Sequence, residues 1–599
     1  MKDGNEDRNA TIDSDRNDTR QQCLDDFDNL TRGLTLEQAY AKIGGFTYFH
    51  YWASSLFVWG FTTGGLFFFA LSMLEKTPRY LCFNDDGTTY ECQADKTFCK
   101  DQSIKYKIDW DNDSSLHNWV ETLDLTCESS AKIGLIGSIY FVGWAVAAIF
   151  LPRLSDLFGR KWVYFYSMLF HGLVYLGLIL SHNLNLTIVL MGFFGFCSLG
   201  RASVGYLYMQ ELTPIKQQTI IGTILSITGG LVTVFIALYF LYVSKHWEGF
   251  QIFGCATNFL IVVSIPFLPE SPKYLISKNR YEDARDSLKV IAYFNRHSGE
   301  VNFKFDTEVH NELFNSKIDL NYSVDASIAS PGKLTQDSHE RVKFVQSSIL
   351  SSNAGCNQLQ GQSVIDDKLQ PHIHKGELVK EEQQLNGSLK DLIKIRRHMI
   401  NLLIMVIIWI ASSFSYYLIN FQLKYIKGDF FVNTITASLT EVPAYILSGI
   451  LYEKLGIRIV LVSCFIISLV GGIFLLIFSN NTNVIPVFIL LARFGVSATF
   501  NICYLANATI FPTIFAGTAF GICNVFAKMA TIISPMLAEV DAPVPMTVFC
   551  IVSGVATVLS LFIQTAPKKL QIHQRLYKGK ITVNQKIVKQ KIECHSNCS

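Results

Sequence analysis

The chain is built from apolar blocks long enough to cross a membrane. A helix needs about 20 apolar residues to span the hydrocarbon core of a bilayer. About twelve such blocks occur, in two sets of about six. The first set covers 51–74, 133–151, 162–180, 186–208, 220–243 and 250–268. The second covers 400–421, 431–451, 459–478, 484–505, 511–535 and 544–563, with Thr513, Thr518 and Lys528 diluting the block at 511–535. Within lipid, backbone groups must be bonded inside the segment, and transmembrane strands would show short alternating segments instead, so the blocks read as helices. Charged residues make up only 17% of the chain and the formal net charge is +2, which excludes a wholly disordered chain and a basic nucleic-acid binder.

Polar segments divide the blocks. The expected organisation is an acidic disordered N-terminus at 1–45, a first six-helix bundle at 46–275 with an outer loop at 75–130, and a polar linker at 276–398. A second bundle at 399–566 and a basic tail at 567–599 follow. In the linker, Tyr281-Glu-Asp-Ala-Arg opens a helical pattern, and 323–384 reads as disordered for want of apolar anchors. Arg153, Arg160 and Lys161 after the second block, and Lys568, Lys569 and Arg575 in the tail, place those segments in the cytosol. The loop at 75–130 then lies outside. The acidic N-terminus resembles neither a cleavable signal nor a mitochondrial transit peptide. A multi-pass protein of the plasma membrane is expected, with organellar membranes, the mitochondrial inner one included, left open.

The outer loop carries Cys82, Cys92, Cys99 and Cys127, an even set that reads as two disulfides with three pairings open. No metal-ligand spacing accompanies them. Asn112-Asp-Ser is a glycosylation sequon in the same loop, whereas those at Asn17 and Asn386 fall in segments expected to be cytosolic.

After the second block comes Pro152-Arg-Leu-Ser-Asp-Leu-Phe-Gly-Arg-Lys161. A tight turn with an acid and a basic pair can tie helix ends together, and its release would let the bundles rock. Asp156, Gly159, Arg160 and Lys161 resemble the loop signature of the major facilitator superfamily, with Pro152 and Leu157 departing from it. Tyr208-Met-Gln-Glu-Leu-Thr-Pro214, Leu268-Pro-Glu-Ser-Pro-Lys-Tyr-Leu275, Glu441-Val-Pro-Ala-Tyr445 and Arg493-Phe-Gly-Val-Ser-Ala follow in order. Together these are similar to the organic cation, anion and zwitterion transporters, solute carrier family twenty-two, with sugar porters next nearest. The resemblance covers most of 46–567. It implies an all-α membrane protein of the major facilitator fold, two six-helix bundles with the solute site between them. It also implies a cytosolic gate of Asp156, Gly159, Arg160, Lys161, Glu211 and Glu270, with Glu453 and Arg458 as a thinned second-half counterpart. Thr509 and Ala516 stand where the family usually has Glu and Arg.

Charges deep in a membrane normally face a cavity or a partner. Arg201, Glu441, Arg493 and Lys528 lie within blocks. Glu441 either contacts a cation or pairs with Arg493 or Lys528, while Arg201 and Arg493 either line a positive chamber or bond backbone carbonyls. Trp409 and Tyr416 are seven residues apart and share a helix face, and with Tyr417 they offer flat walls for an aromatic solute. By resemblance, Lys528 falls where cation-preferring members often carry Asp and anion-preferring members Arg. A secondary or facilitative carrier of small organic ions, most simply anions, is therefore expected. A sugar or polyol carrier is the first alternative, and a transport-inactive structural or sensing subunit the second. There is no Walker loop and no dinucleotide fingerprint, so neither an enzyme nor a cofactor or metal is expected. The linker and basic tail are the segments through which a protein partner or a larger membrane assembly would bind.

Overall fold

The computed structural model describes residues 33–297, 301–312, 389–511 and 513–564. The expected disorder at 323–384, the basic tail, Asn17 and Asn386 lie outside the described residues.

A small unit draws together 33–42, 279–281 and 301–312. Leu34 pairs in parallel with Phe305, its N–H donating to the Lys304 carbonyl at 2.8 Å. Helix Leu36–Lys42 starts from a reciprocal cap: the Gln38 N–H donates to Thr35 Oγ1 and the Thr35 N–H to Gln38 Oε1 at 2.9 Å. This corrects the reading of 1–45 as disordered at its end, since 33–45 are ordered. The pairing brings Leu34 and Phe305 together across a long sequence interval that periodicity does not register.

The large unit holds helices α1 Tyr48–Leu74, α2 Ser130–Phe158, α3 Arg160–Leu180, α4 Leu184–Leu212, α5 Ile215–Tyr242 and α6 Glu248–Phe267. After the linker come α7 Arg396–Gln422, α8 Phe430–Leu455, α9 Ile457–Ile477, α10 Ile485–Asn507, α11 Gly517–Ala538 and α12 Val544–Ser560. Among the described residues, 11 are long and apolar enough to cross a membrane, and α12 is shorter than the expected block at 544–563. Large apolar side chains stay exposed along the helices, including Phe170, Phe193, Phe235, Leu260 and Val263, as a lipid-facing surface requires. Between helices, small residues allow close approach. A Cβ on Gly195 of α4 would meet the Tyr140 carbonyl oxygen of α2 at 1.9 Å.

Three helices are jointed: α1 is helical over Tyr48–Phe68 and again over Leu71–Leu74, and proline explains the joints in the other two. In α8 the chain is helical over Phe430–Leu439 and again over Glu441–Leu455. Pro443 has no N–H to return to Leu439, which breaks the ladder there. The helix of α11 extends back beyond its membrane-length part to Thr513, its segments are Thr513–Thr531 and Ile533–Ala538, and Pro535 stands in the same relation to Thr531.

The loop after α1 departs from an all-helical reading. It carries a three-stranded antiparallel sheet in the order β2-β1-β3, with β1 Tyr80–Phe83, β2 Thr89–Cys92 and β3 Tyr106–Ile108. The disulfides are Cys82–Cys92 and Cys99–Cys127, so one of the three open pairings is selected. The end of the bundles that bears this loop is called the loop end below, and the opposite end, where α6 leaves and α7 enters, the linker end.

Candidate functional site

At the linker end, α2 continues as helix to Phe158, through the stretch expected to be a loop, and the turn into α3 is Gly159 alone. Gly159 has φ +98, a region that favours glycine. Arg160 then reaches three ways. It donates to Asp156 at 2.6 Å, to Glu211 at 3.1 and 3.3 Å, and to the Ser155 carbonyl at 2.6 Å. Glu270, just past α6, accepts from the backbone N–H groups of Arg160 at 2.9 Å, Lys161 at 3.1 Å and Ser271 at 2.9 Å. Burial pushes the Glu270 carboxyl up, against the pull of those three donors. The structure thus brings together Asp156, Gly159, Arg160, Lys161, Glu211 and Glu270. Each of these contacts joins elements of the first half, so the cluster braces the ends of α2, α3, α4 and α6.

The second half repeats the turn without the brace. Gly456 joins α8 to α9 at φ +83, Glu453 is exposed, and Arg458 donates to the Ile563 carbonyl at 2.5 Å. A Cβ on Gly159 would stand 2.2 Å from Glu270 Oε2, whereas one on Gly456 would meet nothing within 4 Å. Gly159→Ala should therefore lower the thermal unfolding midpoint in detergent clearly more than Gly456→Ala. Both carry a backbone strain of about 1–3 kcal/mol, and only the first also displaces Glu270. Equal losses would show that Glu270 contributes nothing to the brace.

The deep charges separate into three environments. Arg201 sits in a turn of π-helix, Gly200–Val204, inside α4. It donates to the carbonyls of Gly60 at 3.4 Å and of Phe61, and its guanidinium lies 5.2 Å from the Phe61 ring. Arg493 of α10 is paired with Glu441: its Nε donates at 3.0 Å, and a second bond runs from its other guanidinium nitrogen. Glu441 opens the second segment of α8, where a helix N-terminus favours negative charge. Tyr416 and Tyr445 also donate to it, at 3.0 and 3.1 Å. Arg493 further donates to the Tyr416 carbonyl at 2.7 Å. Of the alternatives open from sequence, the structure thus pairs Glu441 with Arg493 and gives Arg201 backbone carbonyls.

Lys528 differs. It lies in the last turn of the first α11 segment, where a helix C-terminus favours a cation. Among the described residues no carboxylate pairs with it. Its Nζ donates to the Tyr417 hydroxyl at 3.2 Å and stands 4.6 Å from the Tyr417 ring, 5.0 Å from Trp144, 5.8 Å from Phe500 and 5.9 Å from Phe141. Phe141 and Trp144 belong to α2 of the first half, and Tyr417 and Phe500 to α7 and α10 of the second. An ammonium among four ring faces is held by their quadrupoles and keeps donor capacity for an incoming anion. Trp409 lies away from this cage, against Tyr504 and Phe520 at 5.0 and 5.3 Å, and Tyr416 stacks on Phe500 at 5.3 Å.

One constellation escaped the sequence reading. At the loop end, Lys424, just past α7, donates to Glu75, just past α1, at 2.7 Å and pairs with Glu539, just past α11, at 2.7 Å. Those side chains are 1–4% exposed and join the two halves. Each residue closes an apolar block and reads singly as a loop charge. The signal is that all three follow odd-numbered spans and so share one end.

Residues 87–324 match the family model described as sugar (and other) transporter. Mouse solute carrier family 22 member 4 is 23% identical over 437 residues, which is 72% of this chain and 66% of that protein. The chain thus spans just under two thirds of that relative. Human organic cation/carnitine transporter 2 is 23% identical over 76% of this chain and 70% of its own length. A Xenopus laevis solute carrier family 22 member 15-like protein is 22% identical over 83% and 86%. Among solved structures, the inward-open xylose transporter XylE from E. coli aligns with a TM-score of 0.49 at 12% identity, over 85% of this chain and 95% of that one. With its membrane-length helices the chain is a multi-pass integral membrane protein, and its matched family model and these relatives make it similar to the solute carrier family 22 transporters of the major facilitator superfamily.

Proposed function

We propose that the protein carries small organic anions across a membrane by alternating access of its two bundles. The observation that carries this reading is Lys528: a buried cation without a carboxylate partner among the described residues, caged by rings from both halves. Arg493 is neutralised by Glu441, whereas Arg201 is also without a carboxylate among the described residues but lies within the first half, bonded to the Gly60 and Phe61 carbonyls of α1. Of Arg201 and Lys528, the latter is the cation that touches both halves, so its charge stands where they meet. Tyr417 adds a hydroxyl, and the ring faces accept an aromatic or apolar body. Arg160 and its partners act as a brace of the cytosolic end, and the loop with its disulfides and Asn112 faces the outside of the plasma membrane.

A second reading is a zwitterion with a carboxylate on Lys528 and its cationic group against the ring faces. The name of the human relative, an organic cation/carnitine transporter, and the aromatic cage both favour it. Purified full-length protein in proteoliposomes decides. A labelled aromatic carboxylate should accumulate, other carboxylates should compete, and glucose should not. Uptake of a permanent cation faster than any carboxylate sinks the anion reading, and competition by glucose alone replaces it with a sugar carrier. Absence of all flux from a protein that purifies in a stable larger assembly assigns it a structural role.

A further inference from the structure

We propose that Glu75, Lys424 and Glu539 form a proton-binding latch between the two bundles, and that closing it takes up one proton from the bath at the loop end. The geometry states the need. Two carboxylates share one ammonium, each at 2.7 Å, in a site where the side chains are only 1–4% exposed. Left so, the closed latch buries one surplus negative charge, which opposes closure unless neutralised. Glu75 Oε1 is buried and has no hydrogen-bond partner among the described residues, as a carboxyl oxygen waiting for a proton would be. Gln422 Oε1, two residues before Lys424, is likewise buried without a donor.

Among the described residues no second cation pairs with the carboxylates. Tyr425 donates its hydroxyl to Glu539. Asp429 caps α8 through the N–H groups of Phe431 and Val432 at 2.8 and 3.0 Å. Lys76 lies 4.7 Å from the Phe430 ring, and burial together with the charge of Lys424 pulls it down to about 8. From α2, Gly134 packs on the Glu539 side chain, and Lys132 is engaged with Glu128 at 2.9 Å. Burial pushes the Glu75 carboxyl up, Glu539 adds to that and Lys424 opposes it, leaving it at about 7. Burial pulls Lys424 down, but the two carboxylates more than reverse this and hold it above the usual lysine range.

The sign follows from linkage. In an open latch bathed by water the carboxyl returns to the ordinary range near 4.5. A group whose affinity for protons is higher in the closed form stabilises that form fully below the open-state value. That stabilisation is lost as the pH rises through about 7. Between pH 5.5 and 8.5 the closed-to-open ratio should fall by up to about 30-fold.

The proposal rests on the carrier reading only for what the latch gates, so its test reads no solute flux. Phe68 lies about two helical turns before Glu75 and packs on Tyr140, Phe141, Tyr417 and Phe421, beneath the latch. Full-length Phe68→Cys in sealed membranes is labelled from the loop side with a membrane-impermeant maleimide, with the parent chain as background. Labelling should be slow at pH 5.5 and up to about 30-fold faster at pH 8.5. Adding Glu75→Gln, or separately Glu539→Gln, leaves one carboxylate for one ammonium. Either should give slow labelling at both pH values. An infrared band of a protonated carboxyl that titrates near pH 7 in the parent and vanishes in Glu75→Gln supports the same site. Flat labelling of Phe68→Cys across this range, or a pH dependence that survives in both glutamine variants, overturns the proposal. A latch that titrates in a protein moving no solute removes the carrier reading alone, and transport with flat labelling removes the latch alone.

Discussion

Lys528→Ala should cut organic-anion uptake by about 30- to 1000-fold while leaving the fold intact or more stable. The first half of that expectation comes from the strength of a charge-assisted hydrogen bond in a water-poor site, about 2–4 kcal/mol once the partner anion has been stripped of water. The second half comes from what Lys528 does without solute. Its ammonium is buried, 3% exposed, with one neutral hydroxyl and four rings for company. Burying an unpaired charge opposes folding, and removing it relieves that cost. Lys528→Met, which keeps the stem, should show the same divergence: lower uptake and a higher unfolding midpoint in detergent. Lys528→Arg should retain anion uptake with altered selectivity, since the planar guanidinium presents its donors differently. Normal uptake by the alanine variant, or a loss of uptake that tracks a loss of folded protein, would show that Lys528 is a packing residue.

The pair formed by Glu441 and Arg493 should behave in the opposite way. Glu441→Gln leaves the Arg493 guanidinium buried without its carboxylate, and Arg493→Met leaves Glu441 with two tyrosine hydroxyls and no cation. Breaking a buried pair by removing one partner costs about 3–5 kcal/mol. Each single variant should therefore lose much of its folded, surface-delivered protein, seen as a lowered unfolding midpoint and reduced yield. The double variant should recover most of the stability, because no charge is then left alone. Were Glu441 a solute contact instead, Glu441→Gln would fold normally and change only uptake, and the double variant would offer no rescue.

Hydrophobic length alone located the membrane helices, because lipid imposes the same demand on each of them. The linker-end brace was legible for a different reason. Asp156, Gly159, Arg160 and Lys161 are neighbours in sequence, so their proximity is local, and Glu211 and Glu270 were carried in by family resemblance. The proline joints at Pro443 and Pro535 leave a visible mark, but what they position does not. The rings around Lys528 come from Phe141, Trp144, Tyr417 and Phe500, which no periodicity links. Trp409 shows the converse: its spacing from Tyr416 put both on one helix face, yet it packs on Tyr504 and Phe520 and leaves the cage to Tyr417. The pairing of Leu34 with Phe305 and the loop sheet were missed because short polar segments gain their order from partners distant in the chain.

Each proline-jointed helix keeps an ion beside its broken rung. Glu441 begins the piece of α8 beyond its joint, and Lys528 ends the piece of α11 before its own. A swing of either piece drags a full charge along with the backbone. Bending and the local electric field in this molecule are therefore one mechanical coordinate: whatever flexes α8 or α11 also redraws the potential that a passing solute meets.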